Sequence, residues 1–199
     1  MKVLSVLTAV YAFTAMPAVA QSGSDWSGFY GGITSGEVTG MQDYFDNDVP
    51  RRPGFPTKMG GPNSGVFLGY NLQNGGMVYG IEVTQGTSYV YPVEIPAAFP
   101  NRHSAMTDAK ARVGYAIGDA LVYAAGGWSG STWTENTSDV ISTSGWNYGV
   151  GVDYALTDTL FVGVEYLHRE LASENFNYVP SARFESSLDE VSLRIGARF

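Results

Sequence analysis

The chain has 199 residues, no cysteine, 15% charged residues, 44% hydrophobic residues and 25 glycines. This length allows one domain or two small ones, and the balance of charge and hydrophobicity disfavours intrinsic disorder. The net charge of −8 argues against a nucleic-acid-binding protein, and the lack of cysteine excludes disulfides and thiolate metal sites. Beyond residue 20, no segment approaches the roughly 18 consecutive apolar residues that a membrane helix needs. A soluble all-β domain and a transmembrane β-barrel both remain.

Residues 1–20 have the pattern of a secretory signal peptide. Lys2 precedes an apolar stretch, and the small residues Ala18 and Ala20 form an A-x-A cleavage site. The alternative is an N-terminal membrane anchor, which the shortness of the apolar stretch disfavours. Cleavage after Ala20 removes Lys2, so the mature chain has ten basic and 19 acidic side chains and a net charge of −9. We therefore expect an exported protein with one domain over residues 21–199.

Alternating polarity recurs along the mature chain and predicts β-strands with one apolar and one polar face. It is clearest over Trp146–Tyr154, where aromatic and valine side chains alternate with asparagine, glycine and aspartate. The same alternation occurs over residues 66–72, 77–83, 107–117, 160–168 and 191–199. Two further segments, Trp26–Gly36 and Ala120–Trp133, are rich in glycine and aromatics, and their pattern leaves open which side chains face outward. The total is eight strands.

The connections between these strands alternate strictly between short and long. Turn residues at Gln73–Gly76, Gly118–Asp119 and Thr157–Asp158 predict tight hairpins. The long connections are predicted over residues 38–63, 88–105, 134–143 and 171–184. In an up-and-down barrel every second connection lies at the same end, so all long connections are expected on one rim, as in outer-membrane barrels.

The polar faces indicate which side of the strands points into the barrel. They carry five acids and five bases, interleaved with glycine. These ten residues are Glu82, Asp108, Lys110, Arg112, Asp153, Glu165, Arg169, Glu190, Arg194 and Arg198. Such a balanced set suits the crowded interior of a narrow barrel, where buried charges must be paired. We therefore predict an all-β, eight-stranded antiparallel up-and-down transmembrane β-barrel with its apolar faces toward lipid, and a soluble lipocalin-like barrel is the alternative.

Large aromatic side chains are expected to form girdles where the barrel crosses the two membrane interfaces. The predicted girdle residues are Trp26, Trp128, Trp133, Trp146, Tyr154 and Tyr166.

The segments Asp25–Gly32, Lys110–Tyr115, Leu121–Gly127 and Gly149–Asp158 resemble the small opacity-type and porin-like outer-membrane β-barrel proteins of proteobacteria. The resemblance is to an OmpA-type barrel without the peptidoglycan-binding domain, because the chain ends at Phe199. It implies location in the outer membrane and assembly by periplasmic chaperones and the barrel-assembly machinery. The alternating C-terminal strand resembles the assembly signal of that family, formed here by Val191, Leu193, Ile195 and Phe199.

No catalytic, cofactor or metal site is expected from the sequence. A catalytic His168 would need Ser and carboxylate partners, such as the nearby Ser173 and Glu174, and His103 is a weaker candidate. The His and Ser-Asn signature of lipid A-modifying barrels is absent. Three acids of the first long connection, Asp43, Asp46 and Asp48, show no cation-binding loop pattern, so solvated side chains are expected there.

The function expected from these features is structural or interactive. The barrel would anchor exposed connections, and the first of them, rich in Pro, Phe and Tyr, is the favoured contact for a host or surface ligand. Outer-membrane lipid and lipopolysaccharide are the expected surroundings. The alternatives are a narrow porin-like diffusion pore and, third, a lipid A-modifying enzyme.

Overall fold

The computed structural model describes residues 23–46, 56–94, 101–135, 139–174 and 182–199, so the predicted signal peptide lies outside the described residues. Within these ranges the chain forms eight β-strands. They are β1 Gly28–Asp46, β2 Thr57–Asn74, β3 Met77–Pro92, β4 Arg102–Ile117, β5 Ala120–Glu135, β6 Asp139–Ala155, β7 Leu160–Glu174 and β8 Ala182–Arg198. No helix in the described part of the chain is long and apolar enough to cross a membrane.

Each strand pairs antiparallel with its sequence neighbours, and β8 pairs with β1 to close the barrel. The predicted fold is therefore confirmed. Following the paired residues around the barrel from Ile33 through Val66 returns to β1 at Asp43, a stagger of ten residues. Strand number and stagger together set the radius, and eight strands leave an interior that side chains can fill.

The tight turns lie where the sequence predicts them, but the strands are longer than predicted. Gly75 and Gly118 adopt φ values of 59° and 60°, the left-handed conformation that glycine tolerates. The strands contain 15–19 residues, so most of the predicted long connections belong to strands, and the boundaries predicted for 38–63, 88–105, 134–143 and 171–184 are wrong. In these outer strand ends both faces carry polar residues. The alternation therefore fades, although the backbone hydrogen bonds continue.

The barrel has an apolar outer wall and a charged interior. Outward side chains such as Ile33, Ile81 and Leu193 are 61–66% exposed, whereas Glu82 and Arg194 are each 2% exposed. The facing of the two undecided strands follows the same rule. On β1 Phe29 and Ile33 point outward and Tyr30 points inward, and on β5 Val122 and Trp128 point outward and Tyr123 points inward. The wall thus has the polarity required of a barrel surrounded by lipid.

Two apolar layers close the interior at its ends. The layer near the tight turns contains Trp26, Tyr30, Phe67, Val78, Leu121, Tyr123 and Phe161. The layer near the long connections contains Val38, Met59, Val90, Met106, Trp133, Leu171 and Leu188. The charged side chains of the interior lie mainly between these layers.

Candidate functional site: the charged lumen

The structure places all ten predicted lumenal charges inside the barrel, where each residue is at most 7% exposed. They come from β3, β4, β6, β7 and β8. Nine of the ten form two groups. The central ion cluster consists of Glu82, Lys110, Arg112, Asp153, Glu165 and Arg194, and the outer ion cluster consists of Asp108, Arg169 and Glu190.

Glu82 is the centre of the central ion cluster. Its carboxylate lies 3.0 Å from Lys110 Nζ, and it accepts from Arg112 Nη1 at 2.9 Å and from Arg194 Nη2 at 2.6 Å. Two further acids balance these cations. Asp153 accepts from Arg112 at 2.7 Å, and Glu165 pairs with Lys110 and with Arg194. Three acids therefore neutralise three bases, as buried charges require.

Aromatic side chains complete the central ion cluster. The Tyr30 hydroxyl donates to Glu82 at 3.0 Å and accepts from Arg112 at 2.7 Å. The Tyr123 hydroxyl donates to Glu165 and accepts from Arg194, both at 3.0 Å. The Arg112 guanidinium lies 3.7 Å from the centroid of the Tyr123 ring, a favourable cation–π arrangement. These rings lock the guanidinium groups in place as well as filling space.

Sequence reasoning missed these interior rings because they lie on β1 and β5, whose facing it left open. A signal was nevertheless present in the glycines of the neighbouring strands. Tyr30 pairs with Gly69, Tyr123 with Gly151 and Phe161 with Gly196. A Cβ atom at any of these glycines would lie 2.3–2.4 Å from the facing ring. Each of these glycines leaves space for one aromatic ring. An inward-facing glycine therefore predicts an inward-facing ring at the paired position of the neighbouring strand.

The outer ion cluster is smaller and carries an excess acid. Arg169 donates two parallel hydrogen bonds to Asp108, at 2.9 and 2.8 Å, and its Nη1 lies 2.7 Å from Glu190. Neutral side chains, rather than a second base, donate the remaining hydrogen bonds to the two carboxylates. Asn63 Nδ2 lies 3.1 Å from Glu190 and Ser129 donates to Asp108. The bidentate geometry is the strong form of an arginine–carboxylate pair.

The structure corrects the assignment of Arg198 to the charge network. Arg198 lies at the tight-turn end and donates to the backbone carbonyls of Asp25 at 2.7 Å and Thr157 at 2.9 Å. Its guanidinium lies 4.6 Å from the ring centroid of Trp26. It belongs to neither ion cluster, because it sits at the end of β8 beyond the carboxylates, and it holds the N-terminal segment across the barrel mouth.

Two of the six predicted girdle residues do not lie on the outer wall, so their assignment is wrong. Trp26 is 2% exposed and Trp133 is 4% exposed. Trp26 precedes β1 and lies in the apolar layer near the tight turns. There it packs on Phe161, with ring centroids 5.9 Å apart. Trp133 shares the inward face of β5 with Tyr123 and packs against His103. The other four are 39–54% exposed on the wall: Trp128, Trp146, Tyr154 and Tyr166.

His168 lies on the outer wall with both ring nitrogens against carboxylates. Nδ1 is 2.8 Å from Asp189 and Nε2 is 3.0 Å from Glu170. Carboxylates only accept, so each ring nitrogen faces an acceptor and neither contacts a serine hydroxyl. Ser173 is buried on the opposite face of β7, so no Ser-His pair is assembled there. The side chain of Glu174 lies outside the described residues.

The remaining candidate residues do not converge. His103 is buried, with Nδ1 2.7 Å from Ser131 Oγ. Asp43 and Asp46 lie on β1, and Asp48 lies outside the described residues. In the described ranges no group of three or more His, Asp and Glu side chains is arranged to hold a metal ion. The predicted assembly-signal residues lie on the outer face of β8, where Val191, Leu193 and Ile195 are 55–66% exposed, and Phe199 follows at 76%.

A cavity of about 10 Å³ lies between the two ion clusters. Its lining includes Glu82, Asp108, Glu165, Arg169 and Arg194. This volume corresponds to about one water molecule. The two apolar layers lie toward the ends of the described interior, and the ion clusters lie between them.

Comparison with known proteins places these features in context. The family described as outer membrane protein beta-barrel domain matches residues 5–199. The chain is 29% identical to the 22 kDa outer membrane protein of Rhizobium leguminosarum over 92% of this chain and 81% of that protein. It is 27% identical to the 25 kDa outer-membrane immunogenic protein of Brucella canis over 67% of this chain and 62% of that protein. Among solved structures, the attachment invasion locus protein of Yersinia pestis is similar with a TM-score of 0.45 and 12% identity, covering 86% of this chain and 99% of that chain.

Proposed function

We propose that this chain, which belongs to the outer membrane β-barrel protein family, is a closed barrel that anchors connections presented at the cell surface. It lies in the outer membrane, surrounded by lipid. The finer part of the proposal is that the barrel conducts neither ions nor solutes and that its role is structural or interactive.

The observation that carries this proposal is the filled lumen. The central ion cluster is neutral, and it makes its hydrogen bonds within itself and with the buried Tyr30 and Tyr123. The cavity beside it has room for about one water molecule. A pore needs a continuous aqueous path, which wider barrels provide and eight-stranded ones fill with side chains. The Brucella relative, named as immunogenic, supports surface exposure of the connections.

Conductance measurements test the closed barrel. Purified monomer inserted into a planar lipid bilayer is expected to give no reproducible current steps. The same preparation unfolded by heating, and detergent buffer alone, are the controls. Reproducible steps that appear only with folded monomer would contradict the closed barrel and support the narrow pore.

Surface display is tested by short epitope insertions at the two ends of the barrel. An epitope between β1 and β2 is expected to bind antibody on intact cells. A matched epitope at Gly75, in the β2–β3 turn, is expected to bind only after the outer membrane is permeabilised. Binding of both epitopes on intact cells would mean that the long connections do not define the exposed rim.

We also propose that the last strand guides assembly. The Phe199 amide donates to the Phe29 carbonyl at 2.9 Å, and the two rings stack with centroids 6.4 Å apart at the β1–β8 seam. Deleting Phe199 is expected to lower the amount of folded barrel in outer-membrane fractions more than Leu193→Ala, an outward change within the same strand. Equal amounts of the two folded variants would argue against a special role of the terminal residue.

A catalytic role is not supported by the geometry at His168, because both nitrogens of its ring already face carboxylates. His168→Ala is therefore expected to leave the lipid A of expressing cells unchanged. A change in its mass spectrum, absent with Tyr148→Ala beside it, would favour a lipid-modifying enzyme.

A further inference from the structure

The outer wall of the barrel is not uniform around its circumference. On β1–β4 the outward residues become polar part of the way along the strands, whereas on β5 and β6 they stay apolar or aromatic further out. Five neighbouring side chains make up this polar patch: Ser35, Ser64, Gln85, Thr87 and Thr107. They are contiguous, because Ser64 pairs with both Ser35 and Thr87, and Gln85 pairs with Thr107.

Outward side chains at corresponding positions along their strands differ in polarity between these two parts of the wall. Gln85 and Trp128 each lie eight residues after the first residue of their strand, Met77 and Ala120. Ser64 lies ten residues before the end of β2, and Trp146 lies nine residues before the end of β6. At the depth where β5 and β6 carry the aromatic girdle, β2 and β3 therefore carry hydroxyl and amide groups.

The side chains of the polar patch satisfy one another only in part. Ser35 Oγ and Ser64 Oγ share one hydrogen bond at 2.8 Å, and Thr107 donates to Gln85 Oε1 at 2.7 Å. Gln85 Nε2 also donates to the backbone carbonyls of Gly86 at 3.3 Å and Met106 at 3.5 Å. The serine and threonine hydroxyls retain further hydrogen-bonding capacity on the outer face. Polar groups exposed to hydrocarbon without partners are costly, so this part of the wall needs a polar neighbour.

An open groove of about 480 Å³ continues the polar patch toward the long connections. Glu37 and Pro62 line it, two residues beyond Ser35 and Ser64 on the same faces. The groove combines the exposed Tyr91 ring with hydrogen-bonding groups and one cation, Lys58, whose Nζ lies 2.7 Å from Glu94. An aromatic ring beside a carboxylate and an ammonium group is suited to a sugar, whose ring face packs on Tyr91 and whose hydroxyls bond to the charged groups.

We propose that the polar patch and this groove bind the headgroup of an outer-leaflet glycolipid, and that this headgroup lies deeper along β1–β4 than along β5–β6. The barrel is surrounded by lipid, so a lipid headgroup is the polar partner already present at this depth. Its hydroxyl and amide groups match the hydrogen-bonding groups of the patch and of the groove. The membrane is therefore thinner on one side of the barrel than on the other.

Because the chain contains no cysteine, single labels test the depth difference directly. Gln85→Cys and Trp128→Cys carry a spin label in barrels reconstituted with lipopolysaccharide, and oxygen and a water-soluble nickel complex serve as relaxation agents. The label at position 85 is expected to respond mainly to nickel and the label at position 128 mainly to oxygen. Equal responses overturn the proposal. So does a label at position 85 that is shielded from both agents, which would indicate a second copy on this face.

Lipid retention tests the binding itself. Ser64→Leu with Gln85→Leu removes hydrogen-bonding groups from the patch, and Val122→Leu with Val150→Leu is the matched apolar change on the opposite wall. Lipopolysaccharide retained per barrel is measured by native mass spectrometry after detergent washing. The patch variant is expected to retain the glycolipid with about tenfold lower affinity, the loss expected for one to two hydrogen bonds, while the control is unchanged. Equal retention by the two variants, both shown to be folded by gel mobility, overturns the proposal.

Discussion

The central ion cluster contains three acids and three bases, whereas the outer ion cluster contains two acids and one base. The first is neutral and every carboxylate in it faces at least one cation. The second keeps its excess negative charge by recruiting neutral donors, with Asn63 on Glu190 and Ser129 on Asp108. Hydroxyl donors occur in both clusters, with Tyr30 and Tyr123 in the first, so the difference between the clusters is charge balance. The buried charge is balanced in the first cluster, whereas the excess acid of the second depends on amide and hydroxyl donors. The two clusters are therefore expected to lose different amounts of the free energy of unfolding when one carboxylate is removed.

The largest effect is expected in the central ion cluster. Glu82→Gln removes the charge that three cations share, leaving an excess of buried positive charge. We expect a loss of about 3–5 kcal/mol in the free energy of unfolding, the range for breaking a buried ion pair. Urea titration in detergent micelles, followed by the mobility difference between folded and unfolded protein on a gel, measures it. A loss below that of Glu190→Gln would show that charge balance is not what stabilises this cluster.

A smaller effect is expected from crowding the ring that supports the central ion cluster. In Gly151→Ala the new Cβ would lie 2.3 Å from Tyr123, whose hydroxyl bonds to Glu165. Overpacking of this kind costs about 1–3 kcal/mol, and Gly126→Ala is the control because its Cβ would have its nearest atom at 3.5 Å. The same urea titration compares them. Equal losses would mean that the Tyr123 ring shifts freely and does not lock the cluster.

The smallest effect is expected in the outer ion cluster. Glu190→Gln removes the excess acid and leaves the two Arg169–Asp108 hydrogen bonds in place. The cost is expected to be about 1 kcal/mol, that of one net hydrogen bond. Urea titration of this variant and of Asn63→Leu separates charge from hydrogen bonding. If Glu190→Gln costs as much as Glu82→Gln, the two clusters are stabilised in the same way.

Much of this architecture follows from the sequence, and its errors have identifiable causes. The alternation in β4 and β8 was enough to place Lys110, Arg112 and Arg194 inside the barrel, because a period of two fixes the face of a strand. The alternation did not predict the inward position of Trp26, because this residue precedes β1 and follows no strand period. It also failed at the outer strand ends, where both faces are polar and the backbone hydrogen bonds continue the sheet without an amphipathic pattern.

The sequence alone determined the number of strands, the order of tight and long connections and the face on which most charges lie, because these depend on neighbours along the chain. Only the tertiary structure decided which charges meet. Lys110 on β4 reaches Glu165 on β7, 55 residues away, across the barrel. That pairing depends on the stagger of ten residues and on the barrel radius, which arise from closing all eight strands together. The sharing of Glu82 among three cations from two strands has the same origin.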